Sequence, residues 1–155
     1  MKKSVLFTLF LVLISFICSP AFANETATKD ECVAMCNKAL DIAKTKGVDE
    51  MLRKIGEAKG PFVWKDSYIY AINLDNNQVA AHPIKPVLVG KNLSGIKDIN
   101  GKMFFVEIIN LAKEKGEGWV DYMWPKPGEK KPSPKDAFVI KVPGAPYAIS
   151  AGIYK

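Results

Sequence analysis

The sequence predicts an α+β fold, in which helices pack on one face of an antiparallel sheet of five strands. Helical periodicity of the apolar residues is confined to the segments before residue 60 and after residue 101. The remaining segments are rich in aromatic and β-branched residues, which favour strands. Short turns join neighbouring strands, and such hairpin connections make the strands antiparallel. The resulting order is helix, two strands, helix and three strands, which is typical of a single α+β domain.

A secretory signal peptide is predicted for residues 1–23. A basic start precedes the apolar segment 5–17, and Ala21 and Ala23 supply the small residues that a signal peptidase reads. The alternative is a retained membrane anchor, but the apolar run is shorter than the roughly 20 residues that a span requires. Cleavage after Ala23 would leave residues 24–155 as a single domain, periplasmic or secreted.

Two N-terminal helices follow. Thr28 and Glu31 have the spacing of a capping box, in which the threonine oxygen accepts from one free N–H and the glutamate accepts from another. An apolar face then recurs at helical spacing, at Cys32, Cys36, Ala39, Leu40 and Ala43. Gly47 is a natural stop, and a second, shorter helix is predicted over 49–58.

Five strands and one further helix complete the order. The strands are predicted at 62–72, 78–82, 119–124, 137–142 and 147–154. The turn at 75–77 joins the first two strands, because its Asn residues tolerate positive φ. The third helix has its apolar stripe between Phe104 and Ala112 and is closed by Gly116. The lysine-rich run 126–135 is interpreted as a solvated loop.

Composition and motifs limit the classes of function. The chain has 155 residues, of which 48% are hydrophobic and 25% charged, so it fits one globular domain and not a disordered protein. The net charge of +6 is too small and too scattered to indicate nucleic-acid binding. The motifs of phosphate-binding loops, serine hydrolases and zinc proteases are missing, so we expect no enzymatic activity and no cofactor.

Aromatic residues are concentrated in the predicted strands. All three Trp and all five Tyr follow residue 63. Alternation places Tyr122 and Trp124 on one face of their strand, and Tyr68 and Tyr70 on one face of theirs. If the second face of the sheet is not covered by a helix, these rings would line a pocket for a small ligand. The alternative is that they form an aromatic core.

Few polar residues are candidates for ligand binding. His82 is the only histidine, and it could donate to a ligand carboxylate or form a hydrogen bond with the backbone. Lys91 and Lys141 could neutralise an anion, although most lysines are solvated.

Cys32 and Cys36 are one helical turn apart, so their Cα atoms would lie about 6 Å from each other, near the upper end of disulfide geometry. A disulfide fits an oxidising compartment. Two reduced cysteines packed in the core are the second interpretation. A metal site is the least favoured, because zinc requires four ligands and only His82 offers an additional imidazole.

Several motifs, in order along the chain, carry a family resemblance. They are WKDSYIY (64–70), AHP (81–83), VGKNL (89–93), KDINGK (97–102), GWVDYMWP (118–125) and AGIY (151–154). Together they resemble the single Cache domain family, second subfamily. The resemblance implies the Cache fold, a long N-terminal helix packed on a PAS-like antiparallel sheet, which agrees with the element order derived above.

The resemblance also implies a function. Cache domains are extracytoplasmic sensors of small molecules, commonly organic acids, amino acids or amines, and their pocket lies on the sheet face away from the long helix. By similarity, the pocket residues would be Trp64, Tyr68, His82, Lys91, Tyr122, Trp124 and Lys141. The aromatic rings would contact the body of the ligand, and His82 with a lysine would hold its anionic end.

The resulting hypothesis is a periplasmic protein that captures a small organic anion, such as a carboxylate. Cache domains usually lie between two membrane helices, whereas this chain is expected to lack the second span and the cytoplasmic module. Its partner would therefore be a membrane chemoreceptor or histidine kinase. A homodimer through the long helix would match related sensors. The ligand hypothesis requires that the free face of the sheet be hollow and lined with rings.

Two alternatives stay open. The domain could be a ligand-free accessory module whose basic loop, 126–135, docks on an acidic partner. Cys32 and Cys36 could instead serve a redox or metal-binding role.

Overall fold

The computed structural model describes residues 25–155, so the predicted signal peptide and its cleavage site lie outside the described part. The helices are α1 (Lys29–Lys46), α2 (Val48–Gly56) and α3 (Phe104–Glu114), and a 3₁₀ turn covers Pro86–Leu88. The strands are β1 (Val63–Trp64), β2 (Ser67–Asn73), β3 (Gln78–Ala81), β4 (Glu117–Pro125), β5 (Pro132–Lys141) and β6 (Tyr147–Tyr154). This α+β order confirms the predicted fold class.

The strands form one antiparallel sheet with the order β1-β2-β6-β5-β4, and β3 pairs with the part of β2 beyond β1. The sheet has six strands where five were predicted. The difference arises at Lys65, whose φ of 47° reverses the chain so that Trp64 pairs with Ser67 and β1 becomes a separate strand. β5 also begins at Pro132, so the lysine-rich run ends within a strand rather than in a solvated loop.

Helices α1 and α2 pack on one face of the sheet. The predicted capping box is confirmed, since Thr28 Oγ1 accepts from Glu31 N at 3.2 Å and Glu31 Oε2 accepts from Thr28 N at 2.9 Å. The small residues Cys32, Cys36 and Ala39 are fully buried, which lets α1 approach the sheet closely. This face of the core also includes alternate residues of β2, β5 and β6: Ile69, Ala71, Phe138, Ile149 and Ala151.

Helix α3 packs on the opposite face, so the expectation of helices on one face only is wrong. Its residues Phe104, Phe105 and Ile108 are buried against Tyr70, Ile72 and other residues of the same face. The physical reason lies in β2, where nearly every side chain is buried, so both of its faces are apolar and both need to be covered. We call this second side of the sheet the α3 face.

Candidate functional site

Aromatic rings from four elements meet on the α3 face. We call this group the ring cluster; it consists of Tyr68, Tyr70, His82, Phe104, Tyr122 and Trp124. The His82 ring lies 4.9 Å from the ring of Tyr68 and 5.7 Å from that of Tyr70, measured between centroids. Phe104 of α3 stacks on Tyr122 of β4 at 4.4 Å with an interplanar angle of 9°. Rings of the sheet therefore pack directly against rings of α3 and of the loop after β3.

The cavity within the ring cluster is very small. Its volume is ≈ 10 Å³, which is the space that a single water molecule needs. The face is ring-lined as expected, but the expectation that it is open and hollow is wrong. Helix α3 and the segment 83–103, which we call the cover segment, close it, with Leu88 and Leu93 on the cavity wall. A ligand larger than water can enter only if some of these groups move.

The cover segment is held to the sheet at two places. Near its middle, Val79 N donates to Lys91 O at 3.0 Å and Gly90 N donates to Val79 O at 2.8 Å, which ties it to β3. Near its end, Asp98 Oδ2 accepts from Met123 N of β4 at 2.9 Å. Lys102 Nζ adds an ion pair 3.2 Å from Asp121 Oδ1 of β4, and Leu93 is buried in the core of this face.

Lys135 of β5 brings a cation beneath the rings. The side chain is buried, with 1% of the residue exposed, and its Nζ lies 4.3 Å from the ring centroid of Tyr68 and 4.9 Å from that of Tyr154. Nζ has no hydrogen-bond partner within residues 25–155. Burial, with a smaller repulsion from Lys85, lowers the pKa of Lys135 to about 7. The site thus contains a buried ammonium group that lacks a counter-ion, an arrangement that is costly when empty.

His82 is oriented by the backbone that follows it. Its Nδ1 accepts from Ile84 N at 3.3 Å and from Lys85 N at 3.1 Å, which assigns the ring proton to Nε2. Burial, together with the positive charges of Lys135 and Lys85, lowers the pKa of His82 to about 3. His82 is therefore neutral at physiological pH and presents an N–H donor rather than a charge.

Further polar groups surround the rings. Lys85 Nζ lies 4.4 Å from the ring centroid of Trp124, at the edge of the cluster. The hydroxyl groups of Tyr70 and Tyr122 are 3.5 Å apart, and burial raises the pKa of both. Ser150 Oγ is buried and unpartnered within the described chain. Among the described residues, no carboxylate forms a salt bridge with Lys85 or Lys135, so the site is positively charged and suits an anion.

The structure brings together only some of the residues that sequence reasoning selected. Tyr68, His82, Tyr122 and Trp124 belong to the ring cluster. Trp64, Lys91 and Lys141 do not.

The three outlying residues have different surroundings. Trp64 packs against the core under α1 and α2, because β1 directs it to that side. Lys91 is an exposed residue of the cover segment, which uses only its backbone to reach β3. Lys141 is exposed at the far end of β5, six residues from Lys135 and therefore about 20 Å along the strand.

Lys135 was missed because it ends a run of lysines that resembles a solvated loop. A signal was present in the alternation of β5, where Lys135, Ala137 and Val139 share one face and the latter two are typical core residues. Tyr154, Lys85 and Phe104 were also missed. Nothing in their local sequence separates them from ordinary core or surface positions.

Cys32 and Cys36 are free, buried thiols in the structure, not a disulfide. Their side chains leave α1 one turn apart and pack separately, with Cys32 Sγ 4.0 Å from Ser67 Oγ. Burial raises the pKa of Cys32 to about 11 and raises that of Cys36 as well, so both are protonated and poorly reactive. Residues 25–155 contain no group of three or more His, Cys, Asp or Glu side chains that could hold a metal ion.

Comparisons with known proteins agree with this geometry. A methyl-accepting chemotaxis protein of Pseudomonas putida, McpP, is 33% identical over 89 residues, which are 57% of this chain but only 16% of that receptor. A solved periplasmic sensor domain of a chemotaxis protein is 29% identical with a TM-score of 0.63, covering 79% of this chain and 86% of that domain. In the part of this chain that the structure describes, no helix is long and apolar enough to cross a bilayer.

Two further solved structures extend the comparison. A Cache chemosensory domain described as recognising carboxylic acids is 28% identical with a TM-score of 0.65, covering 78% of this chain and 84% of the other. A methyl-accepting chemotaxis protein of Vibrio parahaemolyticus is 25% identical with a TM-score of 0.66, covering 81% and 87%. The family model for the Cache domain matches residues 32–155, well over half of the chain. This chain is therefore a member of the Cache domain family, whose relatives are sensor domains of chemotaxis receptors.

Proposed function

We propose that this protein is a periplasmic ligand-binding protein that captures a small carboxylate within the ring cluster. The observation that carries the proposal is the ammonium of Lys135, which is buried beneath Tyr68 and Tyr154 without a hydrogen-bond partner. A carboxylate would supply the missing counter-ion and acceptor in a place where the interaction is weakly screened by water. Its affinity would come largely from relief of this uncompensated charge.

The neighbouring groups define how the ligand would be held. One carboxylate oxygen would accept from Lys135 Nζ and the other from His82 Nε2–H, because His82 is neutral and its Nδ1 is occupied by the backbone. The short apolar body of the ligand would contact Phe104, Tyr122 and Trp124. Lys85 at the edge would add a long-range attraction for the anion.

Binding requires the cavity to enlarge. Even a two-carbon acid exceeds the cavity volume of ≈ 10 Å³, so the walls of the cavity would have to move apart to admit one. The cover segment is the element we expect to move, because few polar contacts tie it to β3 and β4. They lie at Gly90, Lys91, Asp98 and Lys102. The stacked pair Phe104 and Tyr122 would separate as the ligand enters.

The relatives support this class of ligand and suggest a partner. One solved relative is described as a Cache chemosensory domain that recognises carboxylic acids, and others are chemotaxis proteins. The McpP receptor, of which this chain matches 16%, is itself a chemotaxis protein. In this proposal the loaded protein delivers its ligand to a membrane chemoreceptor or histidine kinase and has no catalytic role.

The test is a ligand screen with the protein expressed as residues 24–155. Sodium acetate, propionate, pyruvate and succinate would be compared with ethylamine and with sodium chloride at equal ionic strength, by thermal unfolding and calorimetry. A ligand at 100 times its Kd stabilises the folded state by about 2.7 kcal/mol. Lys135→Met should weaken binding by at least about tenfold, because a charge-assisted hydrogen bond contributes about 1.5–3 kcal/mol.

The matched controls are Lys91→Met and Lys141→Met, which remove the same charge from exposed positions. We expect both to bind as the parent protein does. If no carboxylate stabilises the parent, or if Lys135→Met binds as tightly as the controls, the proposal is wrong.

A second candidate function is a ligand-free accessory module. The nearly filled ring cluster favours it, because a core of this density needs no ligand. This candidate would be preferred if no screened compound binds and if Lys135→Met leaves the interaction with a receptor unchanged.

A further inference from the structure

Gly152 of β6 lies beside Lys135 on the floor of the ring cluster. It is paired with Ala137 of β5, and the next pair on the same face joins Lys135 to Tyr154. Its φ does not lie in the left-handed region, so the backbone conformation at this position does not require glycine. The reason for the absence of a side chain must therefore be the space around it.

That space is occupied by the stem of Lys135. A Cβ atom built on Gly152 would lie 2.5 Å from Lys135 Cε, far inside van der Waals contact. The Lys135 side chain therefore leaves β5, passes directly over the Gly152 backbone, and ends with Nζ 4.3 Å from the ring centroid of Tyr68 on β2. Since β6 lies between β5 and β2, the Lys135 side chain extends over the Gly152 backbone of β6 towards the Tyr68 ring.

We propose that Gly152 is a positioning residue for the anion site, because its missing side chain forms the notch through which Lys135 reaches the space between Tyr68 and Tyr154. This inference rests on the proposed function only in taking the Lys135 ammonium as the partner of the ligand. With any side chain at 152, the lysine stem has to leave the notch. Its ammonium would then point away from the rings and towards solvent.

Gly152 also lies close to the backbone of β5, and the experiment must distinguish this contact from the contact with Lys135. The same Cβ atom would lie 2.7 Å from Asp136 O and 3.1 Å from Ala137 Cα, which are backbone atoms of β5. Gly152→Ala would therefore also press on the pairing of β5 and β6. A loss of stability alone does not distinguish positioning of Lys135 from simple strand spacing.

A direct measurement is the titration of Lys135 in the ligand-free protein. Protein carrying ¹³C-labelled lysine would be followed by NMR from pH 5 to pH 11, with Lys135→Met identifying the signal. Burial lowers the pKa of Lys135 to about 7 in the parent. In Gly152→Ala we expect the midpoint to rise by at least one pH unit, towards the ordinary lysine value of about 10.4. An unchanged midpoint would overturn the proposal.

Several titratable groups face Lys135 and must be followed in the same titration. They are Cys32 of α1, Asp66 before β2, Tyr68 of β2, His82 and Lys85 after β3, and Tyr154 of β6. None of them lies on β5 itself. Burial and neighbouring charge displace the pKa values of Cys32, Tyr68, His82 and Tyr154 from the range near 7. Burial also lowers the pKa of Lys85, so the Lys135 transition is the one that disappears in Lys135→Met.

A double-mutant cycle covers the outcome in which Gly152→Ala is unstable. The loss of Tm caused by Gly152→Ala would be measured in the parent and in Lys135→Ala, where the stem is gone. A smaller loss in the Lys135→Ala background supports positioning, and equal losses mean that Gly152 serves strand spacing only. Gly56→Ala is the matched control, because a Cβ at Gly56 meets nothing within 4 Å.

A second arm with sodium propionate separates this proposal from the proposed function. If the Lys135 midpoint moves in Gly152→Ala but the parent does not bind propionate or the other acids, the positioning holds and the carboxylate function fails. If the parent binds and Lys135→Met does not, while the midpoint in Gly152→Ala stays near 7, the function stands and the positioning role is wrong.

Discussion

At the scale of single residues, the Lys135 ammonium dominates the electrostatics of the site. It is buried under two tyrosine rings, whereas the exposed lysines at 91 and 141 keep their charges in water. Burial without a counter-ion disfavours the protonated, charged form of a lysine. The folded protein therefore binds the Lys135 proton less tightly than the unfolded chain does. That difference makes stability depend on pH.

We predict that the free energy of unfolding rises with pH from about 7 to about 8. The pKa of Lys135 is about 7 in the folded protein, below the ordinary lysine value of 10.5 that applies to the unfolded chain. Between these values the unfolded chain binds more protons, so stability increases with pH, and the full cost of burial is present below pH 7. The His82 contribution is largely complete below this range and that of the buried thiols begins above it, so urea unfolding at pH 7 and pH 8 measures the slope. Lys135→Met should remove it and be more stable than the parent at pH 6 by about 1–3 kcal/mol.

Lys141→Met is the control and should keep the parent slope, because Lys141 is exposed in both states. A parent slope no steeper than that of Lys135→Met would contradict a buried, unpaired ammonium. The range stops at pH 8 because burial raises the pKa of Cys32 to about 11 and also raises that of Cys36. The unfolded chain releases these protons first, near the ordinary thiol pKa of about 8.5, so the two thiols lower stability as pH rises above about 8.

Sequence reasoning could locate the rings more easily than the charge. Tyr68, Tyr122 and Trp124 follow strand alternation, so their common face was predictable. Lys135 could be recognised as a site residue only if the start of β5 was known. That start lies at Pro132, inside a lysine-rich run that resembles a loop. Gly152 was not predictable as a site residue, because the contact of Lys135 Cε with its backbone depends on the pairing of β5 with β6.

At the scale of elements, Asp98 ties the cover segment to the sheet. Its Oδ1 accepts from Asn100 N and Lys102 N, each at 2.9 Å, which closes a turn within the segment. Its Oδ2 accepts from Met123 N of β4 at 2.9 Å. Burial raises the pKa of Asp98, but these three backbone N–H groups outweigh that effect and keep it below the usual value.

We predict that Asp98→Asn releases the end of the cover segment but keeps its internal turn. The amide oxygen can still accept from Asn100 N and Lys102 N, whereas the amide NH₂ would face Met123 N–H, and two donors cannot bond. Loss of this charged hydrogen bond should cost about 1.5–3 kcal/mol in unfolding free energy. Hydrogen exchange at the Met123 amide should become faster, while exchange at the Asn100 amide stays close to that of the parent.

Asp98→Ala is the companion variant and should accelerate exchange at both amides, because it removes both acceptor oxygens. Equal exchange at Met123 in the parent and in Asp98→Asn would show that Asp98 does not tie the cover segment to β4.

Local signals predicted which elements form but not the face on which α3 packs. The capping box at Thr28 and Glu31 and the stripe of α3 are local patterns, and both are confirmed. A stripe defines the buried side of a helix and carries no information about the partner surface. The two apolar faces of β2 were the one indication that the sheet is covered on both sides.

At the scale of the whole molecule, the sheet separates two cores with different roles. The core under α1 and α2 consists mainly of small and aliphatic residues such as Cys36, Ala39 and Ile69, with two phenylalanines, Phe62 and Phe138. The core on the α3 face is rich in rings, contains the unpaired Lys135 and is closed by a segment held through hydrogen bonds. Only the second core combines polar groups with a cover that can move, so conformational change on ligand binding should be confined to it.

We predict that a disulfide between the cover segment and β3 prevents ligand entry. Gln78 and Asn92 form an antiparallel bridge in which they are a non-hydrogen-bonded pair. The Cα atoms of such a pair are about 4.5 Å apart, within the range of a disulfide, so Gln78→Cys and Asn92→Cys can be joined. If the cover segment must leave β3 for a carboxylate to enter, the oxidised double variant should bind propionate at least about tenfold more slowly, and reduction should restore the parent rate.

The two single variants, Gln78→Cys and Asn92→Cys, treated with the same oxidant, are the controls for this disulfide. Cys32 and Cys36 should not interfere, because both are buried and their raised pKa values keep them as thiols. Stopped-flow fluorescence of Trp124, which lies 5.5 Å from Phe104 between ring centroids, would report the rearrangement of the ring cluster. If the oxidised protein binds propionate as fast as the reduced protein does, the cover segment stays on β3 during entry. Opening must then occur through a shift of α3 away from Tyr122, since α3 is the other element that closes the cavity.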